Sequence, residues 1–336
     1  MALLTPSDVH IDAPLTNLTL AYMQSQDVFI ADKVFPNVSV PKQSDKFYIY
    51  DAATAIRSGD VKTLAPRTEA QRIGMKLSTS SYFTDVYGLG MDFSEQDLAN
   101  EDTMLQTRVS GAETLVQRML IDREQKFATQ FFTSTGVWDT DYTGVSGSPS
   151  AGQVRQWNDY TNSTPIVDIT KAATAVQLAS GGFKPNTLVV GKEVYDELIN
   201  NPDIIARLNG GSTVNNPAMV TKAKLAEIFD VEYFYVMNAV HNSAKEGQTA
   251  SNAFIGGKSA LLCYTPSSAG LRVPASGLTF TWDSLPGVGG LGITVESFSD
   301  GELRRKQIAE YIQAKLAYDM KIVGSALGAF FTTVVA

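Results

Sequence analysis

The stretch from Lys42 to Phe93 most constrains what this chain can fold into. A strand pattern around Phe47 to Tyr50 is answered by a returning one from about Ile73 to Phe83, and a long tip carrying Gly59 and Pro66 runs between them. Connections this long without an element of their own are uncommon in compact domains. The tip is too polar to fold back on itself, so the pattern predicts an oversized hairpin that projects from its domain. The forty residues before it alternate short apolar runs with proline and polar breaks. They contain no core of their own and are expected to lie as an extended arm on something else.

From about Glu101 to Phe132 the pattern becomes helical. Val109, Ala112, Val116, Met119, Arg123 and Phe127 recur at spacings of three and four, which predicts one buried stripe. Gly111 reads as a tolerated blemish in this helix, and Gly136 ends the segment. The thirty-odd residues that follow show no clear element. Trp138 and Trp157 are either anchors of that loop to a partner or core residues of their own domain.

Residues 165–236 read as a compact α/β passage. Asp168 is a candidate N-cap for a helix through Ser180 that stops at Gly181-Gly182. "NTLVV" is a buried strand and "KEVYDELIN" a helix closed by Asn201-Pro202, with Pro202 opening a further turn. A third helix in "NPAMVTKAKLAEIF" turns Met219, Leu225 and Ile228 inward, and "VEYFYV" is the strand after it. Strands separated by helices imply parallel pairing. The tail "IAEYIQAKLAYDMKIV" fits both periods, but its alternation outlasts its helical match, so it is read as a strand. A last strand lies in "LGAFFTTVV".

Several motifs suggest chemistry that their context denies. "GVGGLGITVE" holds a G-x-G-x-x-G at Gly287, Gly289 and Gly292, yet the β-branched run after it favours a strand over the helix that a pyrophosphate site needs. It is read as the turn of a hairpin. Gly257-Lys258-Ser259 and Gly191-Lys192 lack the earlier glycine of a P-loop, where Asn252 and Asn186 stand. The single cysteine, Cys263, reads as a small buried hydrophobe. His10 and His241 are far apart, which leaves no metal cluster or histidine-based triad in sight. No catalytic residue, cofactor or metal ligand is nominated.

A net charge of −8 disfavours a protein that grips nucleic acid through its phosphates. Only 18% of the residues are charged, against a usual ~25%. Few charges suit a surface destined for other subunits, because interface cores are depleted in them. No apolar run approaches the ~18 residues of a membrane span, and the start of the chain lacks a signal-peptide pattern.

The segments "FKPNTLVVGKEVYDELINNPDIIARL" (183–208), "AKEGQTASNAFIGGKSALLCYTP" (244–266), "GLTFTWDS" (277–284) and "AYDMKIVGSALGAFF" (317–331), with "FFTSTGVW" and "WNDYTNSTPIVDI", resemble the major capsid proteins of tailed bacteriophages. These have the α+β fold of the Hong Kong 97 type, and the resemblance is to the lambda-E-related branch. It implies an N-terminal arm at 1–40 and an extended E-loop at 41–90. A peripheral P-domain with a spine helix would take 91–164 and 301–336, and an axial A-domain 165–300. It further implies self-assembly into pentamers and hexamers of an icosahedral shell around double-stranded DNA, made in the bacterial host cytoplasm and ending in the virion. Portal and decoration proteins are possible partners. The start at Met1 suggests that no leading segment is cleaved and that any scaffolding protein is separate. An encapsulin shell is the alternative of the same fold, and a cytosolic nucleotide-dependent enzyme the alternative of another class.

Charge adds one expectation. Across residues 42–76 seven basic residues face four acids and leave +3, with Arg57, Lys62 and Arg67 in the tip. Across residues 94–126 seven acids, among them Glu113, Asp122 and Glu124, meet four bases and leave −3. In the resembling fold the E-loop of one subunit lies across the P-domain of the next. The opposite balances are therefore expected to register neighbours, and these six residues together with Trp138 and Trp157 are the candidate subunit-interface residues.

Overall fold

A computed structural model describes residues 24–50, 56–74, 77–99, 107–133, 136–208, 220–245, 247–270, 273–284, 294–298 and 308–336. From Gln24 onward the early residues lie against the body of the chain. After a short 3-10 turn at 26–28, helix α1 (Ala31–Val34) and strand β1 (Asn37–Val40) pass into the interior, where Ile30, Ala31, Val34 and Phe35 are all buried. A sequence of short apolar runs reads as surface only while its partners, far away in the chain, are unknown. The large hairpin forms as expected, from β2 (Ser44–Tyr50) and β3 (Leu77–Phe83) in antiparallel register.

Next come β4 (Asp85–Ser94), a short α2 (Glu95–Ala99) and the 25-residue α3 (Thr107–Phe131), which is roughly 37 Å long at 1.5 Å per residue. The buried face of α3 runs through Gly111, Leu115, Met119, Arg123, Glu124, Phe127 and Phe131, so the predicted stripe holds from Met119 onward and is shifted before it. Val109 is half exposed instead. Gly111 is more than a tolerated blemish. A Cβ there would stand 2.6 Å from the Phe93 ring, so its bare backbone lets α3 lie against β4.

The alternating tail is strand β14 (Ile308–Ile322), with Ile312, Ala314, Leu316, Tyr318 and Met320 turned into the core against α3. On one edge β14 pairs with β4. On the other edge two strands lie end to end: β12 (Gly277–Trp282) along residues 318–322, and β13 (Thr294–Phe298) along 311–315. Both run antiparallel to β14 and neither pairs with the other. The hairpin expected across Gly287, Gly289 and Gly292 is therefore corrected to one interrupted strand path. The glycines themselves lie outside the described residues. Strand, turn and strand in sequence fit both arrangements, and only the position of β14 decides between them. Beyond β12, β1 adds in parallel.

The second sheet has six strands in the order β6 (Gln153–Arg155), β5 (Thr140–Val145), β15 (Gly328–Thr332), β11 (Ala260–Cys263), β7 (Thr187–Gly191) and β8 (Tyr233–Met237). β5 and β6 occupy the stretch that shows no clear element in sequence. The expected parallel pair is β7 with β8. β15, β11 and β7 are apolar except for Thr187 and Thr332 at strand ends, because both faces are covered. Leu188, Val190, Leu262 and Phe331 face a core closed by α4 (Pro165–Ala179), α5 (Lys192–Asn200), α6 (Pro202–Leu208) and α7 (Lys222–Ile228). Val189, Leu261, Cys263 and Phe330 face the core shared with α3.

Three local expectations change. Helix α4 starts at Pro165, so Asp168 is no N-cap and instead accepts a hydrogen bond from Trp157 Nε1 at 3.2 Å. Helix α7 is shorter than predicted, with Leu225 buried, Ile228 half-buried and Phe229 buried just past its end, and Met219 lies outside the described residues. The sheets also cut across the contiguous division at 165–300 and 301–336. β12 and β13 belong with β14, and β15 lies in the middle of the sheet of 140–263.

Phe35 is the residue on which these elements converge. Its ring lies 5.1 Å from Phe127, 4.9 Å from Phe131 and 6.5 Å from Trp138. Gly277 makes room for it, since a Cβ there would come within 2.4 Å of the ring. Phe35→Ala should cost about 3–5 kcal/mol, and Gly277→Ala about 1–3 kcal/mol through overpacking. Both are readable by urea denaturation of the purified chain. A loss below 1 kcal/mol for Phe35→Ala would contradict its place at this junction.

Candidate functional site

The hairpin is rigid at its base and bare at its tip. Tyr82 stacks on Phe280 at 4.6 Å and Phe47 packs on the same ring at 5.4 Å, with Val40 and Leu278 closing a small cluster. The main-chain N–H of Phe83 donates to the Asp319 carboxylate at 2.9 Å, and that of Thr84 to the Gln43 carbonyl at 2.9 Å. Beyond this base, residues 56–74 hold no strand or helix, and all of them except Asp60 are exposed. Val61 is 95% exposed, and Ile56, Leu64 and Ile73 are also open to solvent. Four apolar side chains on one projecting segment are thus more than half exposed and belong to none of the chain's core clusters. These four escaped the sequence reading because they are scattered among polar residues. Their signal is that they sit where no core can reach them.

Arg57, Lys62 and Arg67 lie on this tip, all exposed, beside Arg72, whose guanidinium pairs with Glu69 at 3.4 Å. Arg67 has a backbone φ of 71°, a left-handed conformation uncommon for a non-glycine residue. The tip thus presents apolar contacts ringed by cations.

The acidic side of the expected pairing is weaker than its count. Glu113 is exposed on α3. Asp122 is held at 2.7 Å by Lys126, whose ammonium also lies 3.4 Å over the Tyr87 ring. Glu124 is not a surface residue at all. It is fully buried and accepts from the main-chain N–H groups of Ile30 and Ala31. Its place as an interface residue is corrected, because the face of α3 that carries it is covered by α1. Within the chain, no ion pair among the described residues joins the tip cations to these acids.

Trp138 and Trp157 are core residues, 3% and 0% exposed. Trp138 Nε1 donates to the Phe131 carbonyl at 2.8 Å, and the Trp157 N–H to the Val334 carbonyl at 2.7 Å. They anchor the 133–164 stretch to its own domain, so neither is an interface residue. Burial raises the Asp168 carboxyl, while the Trp157 bond and Lys171 draw it down.

Two of the rejected nucleotide motifs lie among the described residues. Gly257 leads into β11 rather than a helix, and Lys258 Nζ donates to the Ala336 carbonyl. Lys192 is engaged by Asp196 within α5. Burial pushes the Cys263 thiol up to about 11, which suits packing and not nucleophilic attack. Among the described residues no group of three or more His, Cys, Asp or Glu is placed to hold a metal ion. Among them, too, no helix is long and apolar enough to cross a membrane.

No protein-family model matches the chain. Two curated relatives do. The major capsid protein of Pseudomonas phage JBD67 is 28% identical over 273 residues, covering 81% of this chain and 83% of that one. The major capsid protein of Burkholderia phage BcepMu is 23% identical over 280 residues, covering 77% and 78%. Among solved structures, a phage-related protein of Bordetella bronchiseptica RB50 superposes with a TM-score of 0.64 at 18% identity, covering 93% of each chain. The capsid of cyanophage P-SCSP1u does so at 0.58 and 11% identity, covering 98% and 99%. An encapsulin, SrpI of Synechococcus elongatus PCC 7942, follows at 0.51 and 10% identity over 97% of each. The chain is thus a homologue of phage major capsid proteins and has the fold of phage capsid subunits.

Proposed function

We propose that this chain is the major subunit of a phage head, assembling with itself into pentamers and hexamers of a closed icosahedral shell around double-stranded DNA. The observation that carries this reading is the similarity to two phage major capsid proteins over about four-fifths of the chain. The exposed tip supports it, because a projecting segment with Val61 almost wholly in solvent needs a neighbour to cover it. In this reading the hairpin within 41–90 is the E-loop. The five-stranded sheet with α3 forms the peripheral domain, and the six-stranded sheet with α4 to α7 the axial one. An acidic chain suits a container that must release its genome, because it avoids tight phosphate contacts along its inner wall. Scaffolding, portal and decoration proteins are the further partners of such a shell, which is built in the host cytoplasm.

The encapsulin fold match supplies a second reading, a shell loaded with protein. Electron microscopy of the purified chain tests both. Closed particles of uniform diameter are expected, with nuclease-protected DNA inside those recovered from infected cells. Particles filled with a co-purifying enzyme would favour the second reading, and a chain that never assembles would overturn both.

The tip generates a sharper test. Val61→Asp with Leu64→Asp, or the charge reversal Arg57→Glu, Lys62→Glu and Arg67→Glu, should leave subunit stability within about 0.5 kcal/mol, since all five side chains are exposed. Shell yield should fall at least tenfold for the apolar pair. The triple reversal should act more weakly and mainly at low salt, because single exposed pairs are worth about 0–1 kcal/mol. Normal shells from the double aspartate variant would remove the tip from the subunit contact.

A further inference from the structure

Residues 24–36 form a strap across the body. Gln24 exchanges two hydrogen bonds with the main chain of Val240, at 2.7 and 3.0 Å. Thr265 Oγ1 donates to the Val34 carbonyl and Thr279 Oγ1 to that of Phe35, each at 3.1 Å. At the middle of the strap stands Glu124 of α3, with its side chain wholly buried. Its oxygens accept from the N–H groups of Ile30 at 3.1 Å and Ala31 at 2.9 Å. The neighbouring Arg123 is committed elsewhere, to Asp32 at 2.5 Å. Among the described residues no cation pairs with Glu124. Two neutral donors do not replace the water that a buried carboxylate gives up, and the cheapest relief is a proton.

We propose that the strap is held by a proton-controlled latch: its docking over Glu124 is coupled to uptake of one proton by the Glu124 carboxylate, so that the strap sits most firmly in acid and loosens as the solution turns neutral. Burial is the largest influence and lifts the carboxyl from 4.5 to about 7; the Ala31 and Ile30 amides and Arg123 pull it down, and Asp32 pushes it up. From β14, Tyr318 places a buried hydroxyl with no hydrogen-bond partner among the described residues near the same charges. Burial raises it and Tyr87 of β4 above the usual phenol range, so both stay neutral throughout. Asp122 and Lys126 of α3 pair with each other. Strand β9 (Val240–Asn242), which also packs on α3, brings His241. Because the docked value lies above the free one, the contribution to docking is complete below about pH 4.5 and is lost as pH rises through about 7.

Hydrogen–deuterium exchange of the full chain tests this, read on the amides of residues 29–36 after correction for the intrinsic pH dependence of exchange. The opening constant should rise about tenfold per pH unit from about pH 5 and level off near pH 7. In Glu124→Gln, which keeps a carbonyl acceptor but cannot titrate, the profile should be flat. A flat wild-type profile would overturn the latch. So would a Glu124→Gln variant that keeps the wild-type slope. Should the variant fail to fold, the carboxyl ¹³C shift of Glu124 in the wild-type chain decides, with a midpoint near 7 expected and one near 4.5 fatal. The measurement reads opening within one chain and so stands or falls apart from shell assembly.

Discussion

The whole structure depends on a strap from the start of the chain being wedged between its two sheets. Phe35 fills the space where the C-terminal half of α3, the five-stranded sheet and the six-stranded sheet meet, and Phe127, Phe131 and Trp138 surround it. Aromatic pairs of this kind contribute about 0.5–1.5 kcal/mol each beyond the area they bury. The threonine hydroxyls of residues 265 and 279 fix the strap carbonyls, so the wedge is set by hydrogen bonds as well as by packing. Without it the two sheets would still share the contact of Phe132, just past the end of α3, with Phe330, but would lose the aromatic wedge beside it.

In the proposed shell, fixed orientation would matter because the subunit would repeat around closed rings. Small angular errors between the two sheets would be copied at every contact, and closure depends on the rotation between neighbours. The body is accordingly dry and packed on both sides of the six-stranded sheet, with β7, β11 and nearly all of β15 buried. The hairpin tip is the opposite. Residues 56–74 have no regular structure and carry apolar residues in solvent. One chain thus combines a packed block with a projecting segment that, in the proposed shell, a neighbour would cover.

The topology also bears on folding. β15, from residues 328–332, occupies the middle of the six-stranded sheet, and β1, from residues 37–40, closes the five-stranded one against β12. Both sheets join segments far apart in the chain, Asn37 with Thr279 and Ala329 with Thr140. Such non-local contacts require loop closure before they return any stabilisation, which slows folding relative to a local topology and exposes strand edges on the way.

Much of this was legible in the residues alone. The alternation of 308–322, the apolar "NTLVV", Pro202 and Gly181-Gly182 each specify a local state through sterics or period, and the structure keeps all of them. The resemblance also named the fold, because its segments are contiguous. Local pattern could not show what each element meets. That Glu124 faces a strap ninety residues earlier, that Trp138 and Trp157 close their own core, and that β12 and β13 share an edge of β14 all depend on partners distant in sequence. A helix face or a strand edge carries the same sequence signal whether another segment, a second subunit or water covers it. The sequence by itself therefore determined most of the elements, their order and the projecting hairpin, but not β5 and β6. Tertiary structure alone decided which charges are buried and which surface is left for a neighbour, because burial is a property of pairs of segments and not of either one.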